Sequence, residues 1–342
     1  MRSRPTLGGA VAAFLLAVGG PWLGCFSSKE LVAAAPDADV DASVGEDGAP
    51  EASTACEPLP PRIDAPGGPL PADGRPSSAF VIDEAADTAL DTATGLEWQR
   101  APNAPLVYDE AFCLCERLVL GGKDDWRLAS RYELVGILDY AKDVPPVDGP
   151  AVDAAVFHDV HPAYYWTSTL YDASDPANPL LPVVVGIGDG RTGGAAQTGG
   201  ARDGFWCVRG AIPEPPAKRF VASPETVKDV VTGYVWQRSV DPRKWPQNLE
   251  PEIETYCAGL TLDGLSSFRL PTVKELQTLV IAGKASPSID TTAFPATPSK
   301  LFHTSSRYIG KLTTNWRVSF GDGSAYPNTA LDPKAVRCVK TP

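Results

Sequence analysis

The heptapeptide TGLEWQR at Thr94–Arg100 returns as TGYVWQR at Thr232–Arg238, 138 residues further on. Five more blocks return in the same order. WRLASRYEL (Trp126–Leu134) parallels FRLPTVKEL (Phe268–Leu276), and VDAAVF (Val152–Phe157) parallels IDTTAF (Ile289–Phe294). YWTST (Tyr165–Thr169) parallels FHTSS (Phe302–Ser306), VGIGDG (Val185–Gly190) parallels VSFGDG (Val318–Gly323), and WCVRG (Trp206–Gly210) parallels RCVKT (Arg337–Thr341). Ordered pairs with drifting offsets mean two copies of a unit of about 120 residues, an ordinary domain size. Both copies must fold on one plan, so a chemistry read in one can be checked against the other.

The N-terminus does not belong to that plan. Arg2 and Arg4 form a charged start, and Gly8–Gly20 is an apolar run too short to span a bilayer. Trp-Leu-Gly-Cys (Trp22–Cys25) then resembles a bacterial lipobox, whose cysteine is diacylated and becomes the mature N-terminus; Trp22 stands where that pattern usually has Leu. Residues 1–24 are therefore expected to be a lipoprotein signal peptide, exported to an oxidising compartment, with Cys25 as the lipidation site. Residues 26–79 carry 10 acidic and 3 basic side chains and few large apolar ones. Such a stretch buries too little surface to order itself, so 25–79 reads as a disordered acidic tether. Asp37–Ala42 starts like an EF-hand loop, but Ala42 occupies the position that needs glycine, and calcium is rejected there.

Charge divides unevenly between the copies. Residues 80–210, the first repeat, hold 20 acidic and 9 basic side chains. Residues 211–342, the Pro-rich hinge 211–218 with the second repeat 219–342, hold 12 acidic and 16 basic. Surfaces of opposite sign meet different partners, or each other.

Seven cysteines leave one over if all the others pair. Lipidation of Cys25 accounts for it. Cys115 stands 12 residues before Arg127 and Cys257 stands 12 before Arg269, while each copy closes on one cysteine, Cys207 or Cys338. The repeat thus selects Cys115–Cys207 and Cys257–Cys338, leaving Cys56 with Cys113. Loops of this length make each bridge worth about 4–5 kcal/mol in the chain-entropy view. Cys113-x-Cys115 lacks the usual metal or redox spacing and is not read as either.

Ser130-x-x-Glu133 and Thr272-x-x-Glu275 are capping boxes and predict helices over Ser130–Ala141 and Thr272–Ala282. Further helices are expected near Asp109–Leu118 and Ile253–Leu260. Val81–Asp83 and Val227–Asp229 read as strands entering the Thr-Gly turn, and Leu96–Gln99 and Val235–Gln237 as the returning strands. Val183–Ile187 and Trp316–Phe320 are strand-like runs that end on Gly-Asp-Gly turns. Trp98 and Trp236 read as core, with Gln99 and Gln237 alternating outward; Arg127 and Arg269 read as partners of a carboxylate. Each unit is α+β.

Taken in order, Thr-Gly-x-x-Trp-Gln, Trp-Arg-Leu, the Tyr-Trp-Thr-Ser-Thr block and Arg-Cys-Val resemble the C-terminal domain family of the Legionella collagen-like adhesin, itself similar to the C-type-lectin-like fold. The resemblance covers residues 80–342. It departs at Ala129 and a Gly-rich insertion at Gly186–Gly204 in the first copy, and at Phe268 and His303 in the second. It implies two tandem lectin-like domains, stapled by disulfides, that bind rather than catalyse.

Other chemistries fit poorly. GDGRTG (Gly188–Gly193) is followed by no helix, so it is no dinucleotide loop. His158-x-x-His161 precedes Pro162 in a loop, and His303 is the only other histidine, too few for a zinc or Ser-His-Asp site. Neither the Glu-Pro-Asn nor the Gln-Pro-Asp calcium motif of C-type lectins is present, so any glycan binding is expected to be calcium-independent and no metal or other cofactor is expected. Lys300, Arg307, Lys311 and Arg317 form a candidate polyanion site in the second copy. The expected function is a surface-anchored binding or adhesion lipoprotein of the cell envelope, in the outer membrane, held there only by its lipid. Its partners would be a glycan or another surface protein, and no nucleic acid. The alternatives are an enzyme akin to the formylglycine-generating branch of the fold, which needs reactive cysteines, and a structural envelope component.

Overall fold

Each repeat opens with strands whose turn the heptapeptide builds. The computed structural model describes residues 66–141, 151–171, 181–194, 204–211, 214, 216–243, 245, 250–282, 284, 286–308, 314–328 and 333–342, all within the unit Ala55–Pro342. The signal peptide, Cys25, Cys56 and Lys311 lie outside the described residues, as do parts of the hinge and of the Gly-rich insertion.

In repeat one, β1 (Phe80–Asp83) and β2 (Thr88–Asp91) pair antiparallel, and β2 turns into β3 (Glu97–Gln99). In repeat two, β10 (Phe220–Ala222), β11 (Thr226–Asp229) and β12 (Val235–Gln237) do the same. The Asp91 carboxylate accepts from Thr94 Oγ1 at 2.9 Å, and Asp229 accepts from Thr232 Oγ1 at 2.8 Å. Gly95 and Gly233 then take φ of +72° and +75°, where a β-carbon would be strained. Thr-Gly is therefore turn chemistry. Val81–Asp83 lies in β1, one hairpin earlier than expected; the strand that feeds the turn is β2, marked by Asp91.

The rest of the heptapeptide is core. Trp98 and Trp236 are fully buried. Gln99 and Gln237 do not point outward: β3 is covered on both faces, and each amide oxygen accepts from the backbone N of a bridge cysteine, Cys207 or Cys338, at 3.1 Å. Arg100 Nε donates to Val156 O and Arg238 Nε to Ala293 O, tying the turn to the matching loop in each copy.

Helix α1 (Tyr108–Arg117) and helix α3 (Glu250–Ala258) carry the first bridge cysteines. Cys115–Cys207 and Cys257–Cys338 close loops of 92 and 81 residues and sit in two small matching clusters, with Trp126 and Phe205 in one and Phe268 and Trp245 in the other. Cys113 is disulfide-bonded too.

Strand β4 (Arg127–Leu128) leads to helix α2 (Arg131–Ile137), and helix α4 (Val273–Gln277) is its counterpart. Both capping boxes are present. Arg127 and Arg269 grip Glu133 and Glu275 bidentately, as expected of a carboxylate partner. Both helices are shorter than their apolar runs suggest. Leu138 turns extended after α2, and single turns through Thr278 and Val280 follow α4. The carbonyls left open there are taken up by the opposite repeat.

Repeat one continues through β5 (Tyr164–Tyr171), β6 (Leu181–Gly186), β7 (Thr192–Gly194), β8 (Gly204–Phe205) and β9 (Cys207–Arg209). Repeat two continues through β13 (Leu301–Arg307), β14 (Asn315–Ser319), β15 (Ala325–Pro327) and β16 (Val339–Lys340). The sheets run β1-β2-β3-β9-β4, β10-β11-β12-β16 and β13-β14-β15-β7-β6-β5-β8. The last of these crosses from one repeat to the other.

The crossing has the signature of a local two-fold axis. Ala325 pairs antiparallel with Thr192, and each stands two residues after its Gly-Asp-Gly turn. Equivalent residues that meet each other define an isologous contact. Tyr132 and Lys274, both two residues after the helix cap, reach across reciprocally. Tyr132 OH donates to Val280 O at 2.7 Å and to Thr278 O at 3.3 Å, while Lys274 Nζ donates to Gly136 O at 3.1 Å. Gly136 and Thr278 are themselves equivalent positions. One hydrophobic core, with Trp98 and Trp206 from one copy and Trp236 and Trp316 from the other, runs through both.

The tether ends earlier than its composition suggests. Arg75 is buried and pairs with Asp91 at 2.8 Å, Ala72 O accepts from Lys274 Nζ, and Asp73 accepts from Ser306 Oγ. Residues 70–75 are thus wedged between the repeats. Polar contacts, with Leu70 packed against the core, order a stretch that otherwise has few apolar side chains.

Candidate functional site

Of the four basic residues singled out in repeat two, Lys311 lies outside the described residues, and the other three do not assemble. Lys300 and Arg307 are exposed, but they flank the length of β13, on the order of 20 Å apart at 3.3 Å per residue. Arg317 is fully buried, because β14 is a central strand covered on both faces; its Nη1 donates to Trp316 O at 3.0 Å. A guanidinium in that place meets no external polymer. Opposite Arg317 in the sheet is His303, also buried, with Nε2 3.2 Å from Trp245 O. Burial, with Arg317 nearby, pushes that imidazole down to about 3.

The structure gathers a different set. Loop 240–243, segment 296–301 and segment 333–335 enclose a cleft of about 680 Å³ in repeat two, within the range of small-ligand sites. Among the described residues, Arg243, Lys300 and Lys334 bring cationic side chains to it, against one carboxylate, Asp241. Asp241 is buried and already engaged. It accepts from Arg243 Nε at 2.9 Å and from Trp245 Nε1 at 2.8 Å. The Arg243 guanidinium lies 4.4 Å from the Trp245 ring centroid and 4.2 Å from that of Tyr256. Stacking and the ion pair fix its plane, which spares it most of the entropy of ordering on binding. Behind the 296–298 wall, buried Arg337 donates to Thr297 Oγ1 at 2.8 Å and lies over the Phe294 ring.

Repeat one lacks these cations at the matched positions. Counting from the matched tryptophans and phenylalanines, Pro105 stands for Arg243 and Ala163 for Lys300. The sequence signal was Pro-Arg-Lys-Trp-Pro at 242–246, a departure between the copies immediately after the shared heptapeptide.

His158 and His161 do not form a pair. His158 Nε2 is 2.9 Å from Asp87 and Nδ1 is 2.8 Å from Asp159. Those two carboxylates raise its pKa, and the ring bridges the loops that carry them. Among the described residues no three His, Cys, Asp or Glu side chains converge as a metal site would require. Every described cysteine is in a disulfide, so a thiol-dependent chemistry has no nucleophile among them. No helix among the described residues is long and apolar enough to cross a membrane.

The model of the Lcl C-terminal domain family matches residues 87–209 and again 225–340. The chain belongs to the Lcl C-terminal domain family. Both copies of that domain are present, and the matched stretches contain the heptapeptides, the capping boxes and the bridge cysteines described above. Membership makes each repeat a lectin-like, adhesin-type module. No curated protein matches the chain. Within this Lcl-type pair the cleft described lies in the second domain, and the first carries Pro105 and Ala163 at the positions of its Arg243 and Lys300.

Proposed function

We propose that this chain is a lipid-anchored envelope protein whose two Lcl-type domains form one binding head, without catalysis, for an acidic glycan taken up independently of calcium. The observation that carries the reading is electrostatic. The half from 211 onward holds 16 basic and 12 acidic side chains, against 9 and 20 in residues 80–210, and Lys300, Arg307 and Arg243 are on its surface. Opposite potentials on two halves of one body leave the basic face to steer a polyanion while the acidic half restricts where it lies.

Two measurements test this. On immobilised heparin, the whole mature chain should be retained at low salt, released as salt screens exposed charges, and unaffected by EDTA. The whole chain is the right material because the repeats share one core. Flow-through at low salt, or release by EDTA, counts against the reading. For the anchor, Cys25→Ser should abolish labelling by a palmitate analogue and free the protein from the membrane; an unchanged labelled band removes the lipid from the proposal.

A further inference from the structure

The cleft in repeat two is not built like a track for a polymer. Its lining brings one ordered guanidinium and one exposed ammonium together with the small apolar side chains of Ala296, Leu301 and Ala335, here called its floor. We infer that it is a binding site for the carboxyl end of a short peptide whose last side chain is small and apolar, with Arg243 and Lys300 meeting the carboxylate and the floor receiving the side chain.

The donors decide the class. Several backbone amides are already engaged: those of Lys300, Lys334 and Ala335 donate to Pro298 O, Trp245 O and Leu301 O, and that of Arg243 donates to Asp241 Oδ1. Pro242, Pro298 and Pro333 have none to give. The cationic side chains are therefore assigned the anion contact. Asp241 occupies the Nε–Nη2 edge of Arg243, and 54% of that side chain is nevertheless exposed in the cleft. Besides Asp241 its polar neighbour is the Tyr256 hydroxyl, and the exposed remainder of the guanidinium keeps N–H donors for a ligand. A guanidinium held in place with N–H donors still exposed suits the oxygens of a carboxylate. The buried Arg337, paired with no carboxylate among the described residues, adds positive potential behind the wall. Low-dielectric walls focus such a potential into the cleft.

The floor decides the rest. A polysaccharide with an acid on every sugar would set several charges against Leu301 and two alanines, with two exposed cationic side chains among the described residues, Arg243 and Lys300, to meet them. A peptide terminus brings one charge and one small side chain. This inference goes beyond the glycan reading and stands or falls separately from it.

The test is fluorescence anisotropy of the full chain with dye-labelled Ala-Ala-Ala, compared with the same peptide ending in an amide. The free acid should bind, and the amide about tenfold more weakly or worse, the scale of one charge-assisted contact pair. Lys300→Gln, an exposed position that leaves the fold alone, should weaken the acid several-fold and leave the amide unchanged. Arg243→Gln should weaken it further. Equal affinity for acid and amide overturns the inference, as does no binding of the acid up to about 1 mM, the weak end of specific recognition. A heparin arm separates the two proposals. If heparin displaces the peptide and Lys300→Gln weakens both alike, the cleft is a general anion site and the peptide assignment fails. If heparin is retained but no peptide binds, the glycan reading survives alone.

Discussion

Position 337 in repeat two stands where Trp206 stands in repeat one, and the exchange shows how much one fold plan tolerates. Trp206 packs on Phe157 and Tyr165 with ring centroids 5.1 and 5.5 Å apart, and its Nε1 donates to Gln99 O. Arg337 lies over the equivalent rings of Phe294 and Phe302, at 4.4 and 5.9 Å. Cation–π contact replaces aromatic packing, but the guanidinium is fully buried, and desolvation pushes its pKa down to about 9. Among the described residues its Nε and Nη1 find no partner. There Thr297 is the one acceptor, and that hydroxyl is separately satisfied by donating to Phe294 O. A buried cation of this kind costs more than an apolar side chain of similar volume. Arg337→Met should therefore leave stability unchanged or raise it by about 1–3 kcal/mol in urea unfolding. A loss above that size would mean that the cation has a hidden counter-charge.

Among the elements, the two capping boxes offer a matched comparison. Glu133 and Glu275 each cap a helix and each receive an arginine, but the Arg127 side chain is 16% exposed and that of Arg269 41%. Burial pushes the Glu133 carboxyl up, yet Arg127 and Ser130 outweigh it and hold it low. Removing the charge strands a half-desolvated guanidinium. Glu133→Gln should thus cost about 2–4 kcal/mol in urea unfolding, and Glu275→Gln clearly less, since water can reach Arg269. Equal losses would show that capping, not the ion pair, dominates. These boxes were legible because their spacing is local, and so were the bridge cysteines, because duplication supplied the register. What the sequence hid is what depends on the other copy. Helix α2 stops at Ile137 and α4 at Gln277 although their apolar runs continue; there the carbonyls of Gly136 and Val280 accept from the other repeat, while Thr278 O is shared between Tyr132 and Arg219 of its own repeat. Arg317 read as surface because a central strand buried on both faces has no alternation to betray it. The cleft was missed because its residues come from three segments joined only by the fold.

At the scale of the whole molecule, duplication has produced one body rather than two linked ones. The seven-stranded sheet is continuous across the pseudo-two-fold axis, and the ordered end of the tether is wedged beside it. Lys274 sits at that junction, fully buried, with Ala72 O and Gly136 O as acceptors and the Tyr140 ring 5.9 Å away. Asp73, Asp139 and Asp91 surround it, with Arg75 as the like charge. Burial pushes its pKa down to about 7, against an ordinary 10.5 in the unfolded chain. The unfolded state then binds more protons between about pH 7 and 10.5, so Lys274 makes stability rise with pH across that window, by at most about 1.4 kcal/mol per pH unit. Below about pH 7 the ammonium is present in both states and its full burial cost is felt. The His158 clamp works in the opposite direction, its raised pKa giving stability below about 6.5 that is lost on going alkaline. The difference between wild type and Lys274→Met isolates the junction. Calorimetry from pH 7 to 9 should show a single transition for the wild type, and a Tm that rises relative to Lys274→Met as pH increases. A parallel pH dependence in the two proteins would mean that Lys274 keeps an ordinary pKa in its site. Two separate wild-type transitions would mean that the shared core does not couple the repeats.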